Sequence, residues 1–196
     1  MCEHVIWAKL MTEATKPCRK RQGLVVVERM RNGGTVTSAA VSGDVFRRVF
    51  RRHATGVAVI TSGGEKPAGF TATSVVSLSA DPPLLSFGLS CTASAWPAFA
   101  VADHVAVHLL AEGQQDLAAT FARSGADRFA EPTVWQQGPY GVPVLEGVLA
   151  LLVCRVVDRV STGDHTLVIA EPRLTEYRED GRPLLYHDGQ FQTLSR

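Results

Sequence analysis

The chain has 196 residues, a 45% hydrophobic fraction and a formal net charge of +1. That is enough apolar material for one domain with a packed core, and the near-neutral balance gives no general attraction to nucleic acid or an anionic membrane. No apolar run approaches the roughly 18 residues that would span a bilayer. The N-terminal apolar stretches are broken by Glu3, Lys9 and Glu13, which is not the pattern of a secretory signal. Cys2, Cys18, Cys91 and Cys154 form no CxxC pair and no regular spacing. They predict free thiols in a reducing cytoplasm, with Cys91 and Cys154 as packing residues, and no zinc knuckle or disulfide framework.

Residues 1–41 carry seven Lys or Arg against three Glu and show no sustained period. They predict a mobile or non-native extension, and residues 42–196 the folded domain. VFRRVFRRHATG places Val45, Phe46, Val49 and Phe50 on one helical face and Arg47, Arg48, Arg51 and Arg52 on the other. Ser42 or Asp44 can cap its start, and Gly56 lies just past its end. The pattern then changes to strands. GVAVITS is the first and PAGFTATSVVSLS the second, joined as a hairpin through GGEK. PLLSFGLS follows the double proline as a third strand. SAWPAFAVA reads as a short helix capped by Ser94, with Pro97 in its first turn. HVAVHLLA is a fourth strand, and QQDLAATFARSG a helix with Leu117, Ala118 and Phe121 inward. Two long strands joined at Ser161–Asp164 follow, and a closing hairpin forms around a DG turn in PLLYHDGQFQTL. Sequential strands without long alternating helices point to a mainly β, antiparallel barrel or split barrel with short helices.

Several chemistries are absent. There is no GxGxxG after a strand, no GxxxxGK[ST] and no HExxH. GLSCT lacks the second glycine of a nucleophile elbow. His104 and His108 are four apart on a strand, about 13 Å at the usual rise, too far for one metal ion. The informative stretch is GFTATSVVSLSADPP. Gly69, Ala72 and Ser74 are small enough for a flat ring to approach the main chain. Backbone groups can bond a ring edge, and Thr and Ser hydroxyls a phosphate or ribityl chain. SCTAS before a helix offers N–H groups to an anion, and Arg128 a fixed positive charge. Against that stands a plain solvated sheet face.

From about Val45 to Leu194 the chain resembles the flavin reductase-like family, small NAD(P)H:flavin oxidoreductases that serve as reductase components of two-component monooxygenases. The matching segments, in order, are FRRVFRRHATGVAVITS, GFTATSVVSLSADPPLLSF, SCTASAWPAFA, HVAVHLLAEGQQDLAATFA, ADRF, GDHTLVIAE and PLLYHDGQF. The resemblance implies a six-stranded antiparallel FMN-binding split barrel, usually a homodimer with the site near the subunit interface. It implies FMN or FAD contacts at Pro67, Ala68, Gly69, Phe70, Thr71, Thr73, Ser74, Gly88, Leu89, Ser90, Ser94 and Ala95, with Arg128 toward the phosphate. It implies that NADH or NADPH meets His165, Tyr186, His187, Asp188 and Gly189, with His165 as the active side chain. Cys91 stands where many relatives carry Asn or Lys. Hydride transfer from nicotinamide C4 to flavin N5 needs no protein nucleophile, in keeping with the absences above. The partner implied is a flavin-dependent monooxygenase, reached by diffusing reduced flavin. The rival readings are a non-catalytic flavin carrier or sensor, an oxidase of the pyridoxamine-phosphate type, and an oligomerisation scaffold. The GDH and YHDG segments favour the enzyme.

Overall fold

The structure is a computed structural model and describes residues 41–194; the expected N-terminal extension lies outside the described residues but for Val41. The elements are α1 (Gly43–Phe50), β1 (Thr55–Gly56), β2 (Ala58–Ser62), β3 (Ala68–Ala72), β4 (Val76–Ala80), β5 (Pro83–Ser90), α2 (Trp96–Val101), β6 (His104–Leu109) and α3 (Gln115–Ala122). They continue with β7 (Trp135–Gln137), a 3-10 turn (Pro139–Gly141), β8 (Pro143–Leu145), β9 (Ala150–Thr162), β10 (His165–Tyr177), β11 (Leu185–His187) and β12 (Gln190–Gln192).

The centre is a seven-stranded antiparallel sheet in the order β3-β2-β6-β9-β10-β5-β4. The expected six-stranded barrel is thus corrected to seven strands, and no closed barrel forms among the described residues. The reason lies in GFTATSVVSLS. That run is not one strand but two, broken at residues 73–75. β3 pairs with β2, whereas β4 pairs with β5, so the two halves become the opposite edges of the sheet. The sheet nevertheless curls strongly. Four strands separate β3 from β5, yet Phe70 of β3 lies 6.1 Å from Phe87 of β5, ring to ring. β9 and β10 supply the bend, since their ladder shifts register between Ile169 and Ala170 and again between Pro172 and Leu174.

β2 is buried along its whole length, which its near-continuous apolar run anticipates. Ala58 and Ile60 join Phe70, Phe87, Phe99 and Val168 inside the curl. Val57 and Val59 face the other way, toward Ala118 and Phe121 of α3 and Leu145 and Leu184. Arginines fasten the two short helices that rim the curl. Arg159 donates to the carbonyls of Phe99 (3.0 Å) and Ala102 at the end of α2. Arg128 donates to Phe121 O (3.2 Å) and Arg123 O (2.9 Å) at the end of α3. Both satisfy carbonyls that a helix end leaves unpaired. The Ala95 N-cap of α2 has no side-chain cap, so the expected Ser94 cap is not made.

His104 and His108 go separate ways. The His104 ring stacks on Tyr140 at 4.1 Å. His108 is fully buried, with Nδ1 3.0 Å from Val59 O, and Leu145 N–H donates to Nε2 at 3.1 Å. The ring therefore carries its proton on Nδ1 and is a neutral brace between β2, β6 and β8. Among the described residues no three His, Cys, Asp or Glu side chains gather to hold a metal. No helix there is long and apolar enough to cross a membrane. Cys91 and Cys154 are free thiols, and burial pushes Cys154 up to about 12, which keeps it protonated. The turn between β9 and β10 is Gly163-Asp164, shorter than expected because β9 runs on to Thr162. No residue of α1 is buried, its apolar face included.

Candidate functional site

Where the two edges of the curled sheet approach, a cavity of about 590 Å³ opens between the residue 73–75 crossing, β5, the start of α2 and the end of α3. Phe70, Thr71, Thr73, Ser74, Gly88, Leu89, Ser90, Ser94, Ala95, Arg128 and His165 all line it. Their convergence follows from the fold. β10 antiparallel to β5 sets His165 opposite Ser90. The Phe121 ring in α3 sits against Gly69 of β3, and Arg128 returns from the loop after α3 to donate to Ser94 Oγ at 3.2 Å.

The hydroxyls of this wall have two different employments. Thr71 Oγ1 donates to Ala118 O at 2.6 Å and so holds α3 to β3. The N–H of Gly88 donates to Ser74 Oγ at 3.0 Å, tying the crossing to β5. Ser90 Oγ and Thr92 Oγ1 lie 3.0 Å apart. Part of the hydroxyl content is therefore fold-building. Thr73, Ser94 and Ser124 add polar atoms to the same wall. The arrangement suits a flat polar ring laid on main chain, with an anionic tail toward Ser94 and Arg128. His165 stands at the mouth, with its Nδ1 2.7 Å from Asp164 Oδ1.

Three expected contacts stand elsewhere. Pro67, Ala68 and Gly69 do not line the cavity. Gly69 is small for another reason: a Cβ there would lie 2.7 Å from the Phe121 ring and 3.1 Å from Ile60 O. Of the five residues expected at the nicotinamide, His165 lines the first cavity, and Tyr186 and Asp188 border a second hollow, which meets the first at Thr73 and Ser74. His187 and Gly189 line neither; Asp188 (φ 50°) and Gly189 (φ 83°) instead make the left-handed turn between β11 and β12. Reading the sequence missed Phe121, Ala122 and Ser124, because helical spacing shows which residues face inward but not that α3 ends at a cavity.

A larger groove of about 670 Å³ runs past Val75, Leu84, Leu109 and Leu152. It is more apolar and has no arginine or lysine in its wall, where His53 and a few Thr and Ser hydroxyls are the polar side chains. The smaller, polar cavity is the better site for an anionic ligand.

Comparison with known proteins gives the family. The flavin reductase like domain model matches residues 50–195. An NADH:FMN oxidoreductase of Rhodococcus qingshengii is 41% identical over 161 residues, covering 80% of this chain and 83% of its own. The reductase subunit of a flavin-dependent monooxygenase from Rhodococcus jostii is 36% identical over 160 residues, 81% of each chain. The crystal structure of a flavin reductase domain protein from an Arthrobacter species superposes with a TM-score of 0.73 at 43% identity, covering 78% of this chain and 96% of that one. The chain belongs to the flavin reductase-like family.

Proposed function

We propose that the protein is an NAD(P)H-dependent flavin reductase that passes hydride from nicotinamide to FMN or FAD and supplies reduced flavin to a flavin-dependent monooxygenase. The observation that carries this is the cavity at the sheet crossing, where main chain, small hydroxyl residues, one arginine and one histidine converge. Bound flavin supplies a two-electron acceptor that takes the nicotinamide C4 hydride at its N5. The chain's own part is placement. The crossing at Thr73 and Ser74, with Gly88–Ser90 of β5, forms the bed for the ring. Arg128, itself fixed by three hydrogen bonds, meets the phosphate beside Ser94. His165, braced by Asp164, steadies the nicotinamide against the flavin, a matter of orientation within a near-attack pair. Tyr186 and Asp188 border the approach of the donor. The site of action is the cytoplasm, where both nicotinamide and free thiols are at home.

NADH oxidation should depend on added flavin, and FMN and FAD should both be tried as acceptors with NADH and NADPH as donors. Tight FMN binding without any nicotinamide oxidation would replace the enzyme by a flavin carrier. His165→Ala should lower the rate of hydride transfer by about tenfold or more, the loss expected when one orienting group is removed. An unchanged single-turnover rate would remove His165 from the reaction.

The reading includes a homodimer. Val76 and Leu78 stand half exposed on β4, an edge strand that has a partner on only one side. Light scattering at micromolar concentration should give twice the chain mass, and Leu78→Lys should shift it toward the monomer. A monomeric mass for the unaltered chain would sink the dimer.

A further inference from the structure

The hollow beside the flavin cavity has a volume of about 480 Å³ and lies between α1, the β11–β12 turn and the crossing at Thr73 and Ser74. Its chemistry is not that of the first cavity. Phe46 and Phe50 stand with ring centroids 4.5 Å apart, and Arg47 and Arg51 line the same wall. At 100° per residue these four side chains share one arc of about 140° on α1, so the helix turns two aromatics and two guanidinium groups together into the hollow. This explains why the apolar face expected from the sequence is not buried: half of it faces the hollow, together with half of the arginine face. Across from α1 stand Tyr186 and Asp188. The frame is fixed by main chain, since Asp188 N–H donates to Arg51 O at 2.9 Å, and the Asp188 carboxylate stands 3.9 Å from Arg52 Nη1.

We propose that this hollow binds the adenosine diphosphate half of the nicotinamide donor, with the aromatic rings of α1 against the adenine, Asp188 toward the ribose hydroxyls, and Arg47 and Arg51 on the pyrophosphate. Each assignment rests on ordinary chemistry. Aromatic faces stack on a purine, a carboxylate accepts from a ribose diol, and a guanidinium pairs with phosphate oxygens. The inference rests on the flavin reductase reading above. The shared wall at Thr73 and Ser74 then lets one molecule span both spaces, adenylate in the hollow and nicotinamide beside the flavin. The adenylate of FAD carries the same chemistry, but it would leave the flavin cavity from the phosphate end at Ser94 and Arg128, away from Thr73 and Ser74. The donor is therefore the better occupant.

The test is the double variant Arg47→Gln, Arg51→Gln. Neither arginine is buried, so the fold should stand. With FMN as acceptor, KM for NADH should rise about tenfold, the worth of one charge-assisted hydrogen bond, and the rise should shrink at high salt. Reduced nicotinamide mononucleotide, which lacks the adenylate, should show the same KM with variant and parent. Calorimetric titration with ADP-ribose, which needs no turnover, should show the same tenfold weakening. An equal rise for both donors overturns the assignment, as does ADP-ribose binding that the variant leaves unchanged. A rise in KM for FAD but not for NADH also overturns it and gives the hollow to the flavin adenylate. Failure of the parent protein to oxidise NADH with any flavin would instead strike the underlying reading, while the ADP-ribose titration would still judge the hollow.

Discussion

Gly88→Leu should weaken FMN binding by about tenfold to hundredfold, the penalty for overpacking a filled site by about 1–3 kcal/mol. Gly88 lies mid-strand in β5 and lines the proposed flavin cavity. A Cβ there would meet nothing closer than Ser74 Oγ at 3.5 Å, an ordinary contact. The folded chain therefore has room for a Cβ, and the rest of the side chain enters the cavity that the flavin would fill. Fluorescence quenching of FMN reads the affinity, and a thermal melt within a few degrees of the parent reads the intact fold. Unaltered affinity in a folded variant would place the flavin elsewhere. The same exchange at Gly69 would have the opposite signature, because its Cβ would strike the Phe121 ring and not a ligand. Two glycines, one in β5 and one in β3, thus separate a binding role from a packing role.

Acid should destabilise the protein through His108. Burial lowers its pKa from 6.5 to about 4, against a smaller raising effect from Val59 O. Between these values the unfolded chain takes up a proton that the folded chain refuses. Stability from this residue is thus complete above pH 6.5 and lost as pH falls toward 4, with no further loss below. The whole interval is worth about 3 kcal/mol. Denaturant unfolding at a series of pH values should show this fall. His108→Gln should be less stable near neutrality by about 1–3 kcal/mol, since it disturbs two buried hydrogen bonds. Its acid slope should nonetheless be shallower than the parent's. Parallel slopes would assign the acid sensitivity to other groups.

Local pattern made most of the elements legible. The alternation in HVAVHLLA and the two long apolar runs gave β6, β9 and β10 near their observed bounds. What local pattern could not give was the break in GFTATSVVSLS. Thr73, Ser74 and Val75 are all acceptable strand residues, and nothing in their order says that the chain changes edge there. The extra strand and the open sheet both follow from that one crossing. Most of the residues that motif resemblance put at the flavin line one cavity. The exceptions are instructive. Gly69 looked like a ring contact because small residues admit ligands, but they equally admit a phenylalanine from a packed helix. His187 and Gly189 share a motif with Tyr186 and Asp188, yet strand alternation and the turn point them elsewhere. In α1 periodicity registers sidedness and cannot tell a core face from one left open.

A crystal structure of the protein with FMN should show the ring over Thr73, Ser74 and Gly88–Ser90, with its phosphate beside Ser94 and Arg128. Electron density for FMN in the apolar groove along Val75, Leu84 and Leu152, with the polar cavity left to water, would contradict that placement.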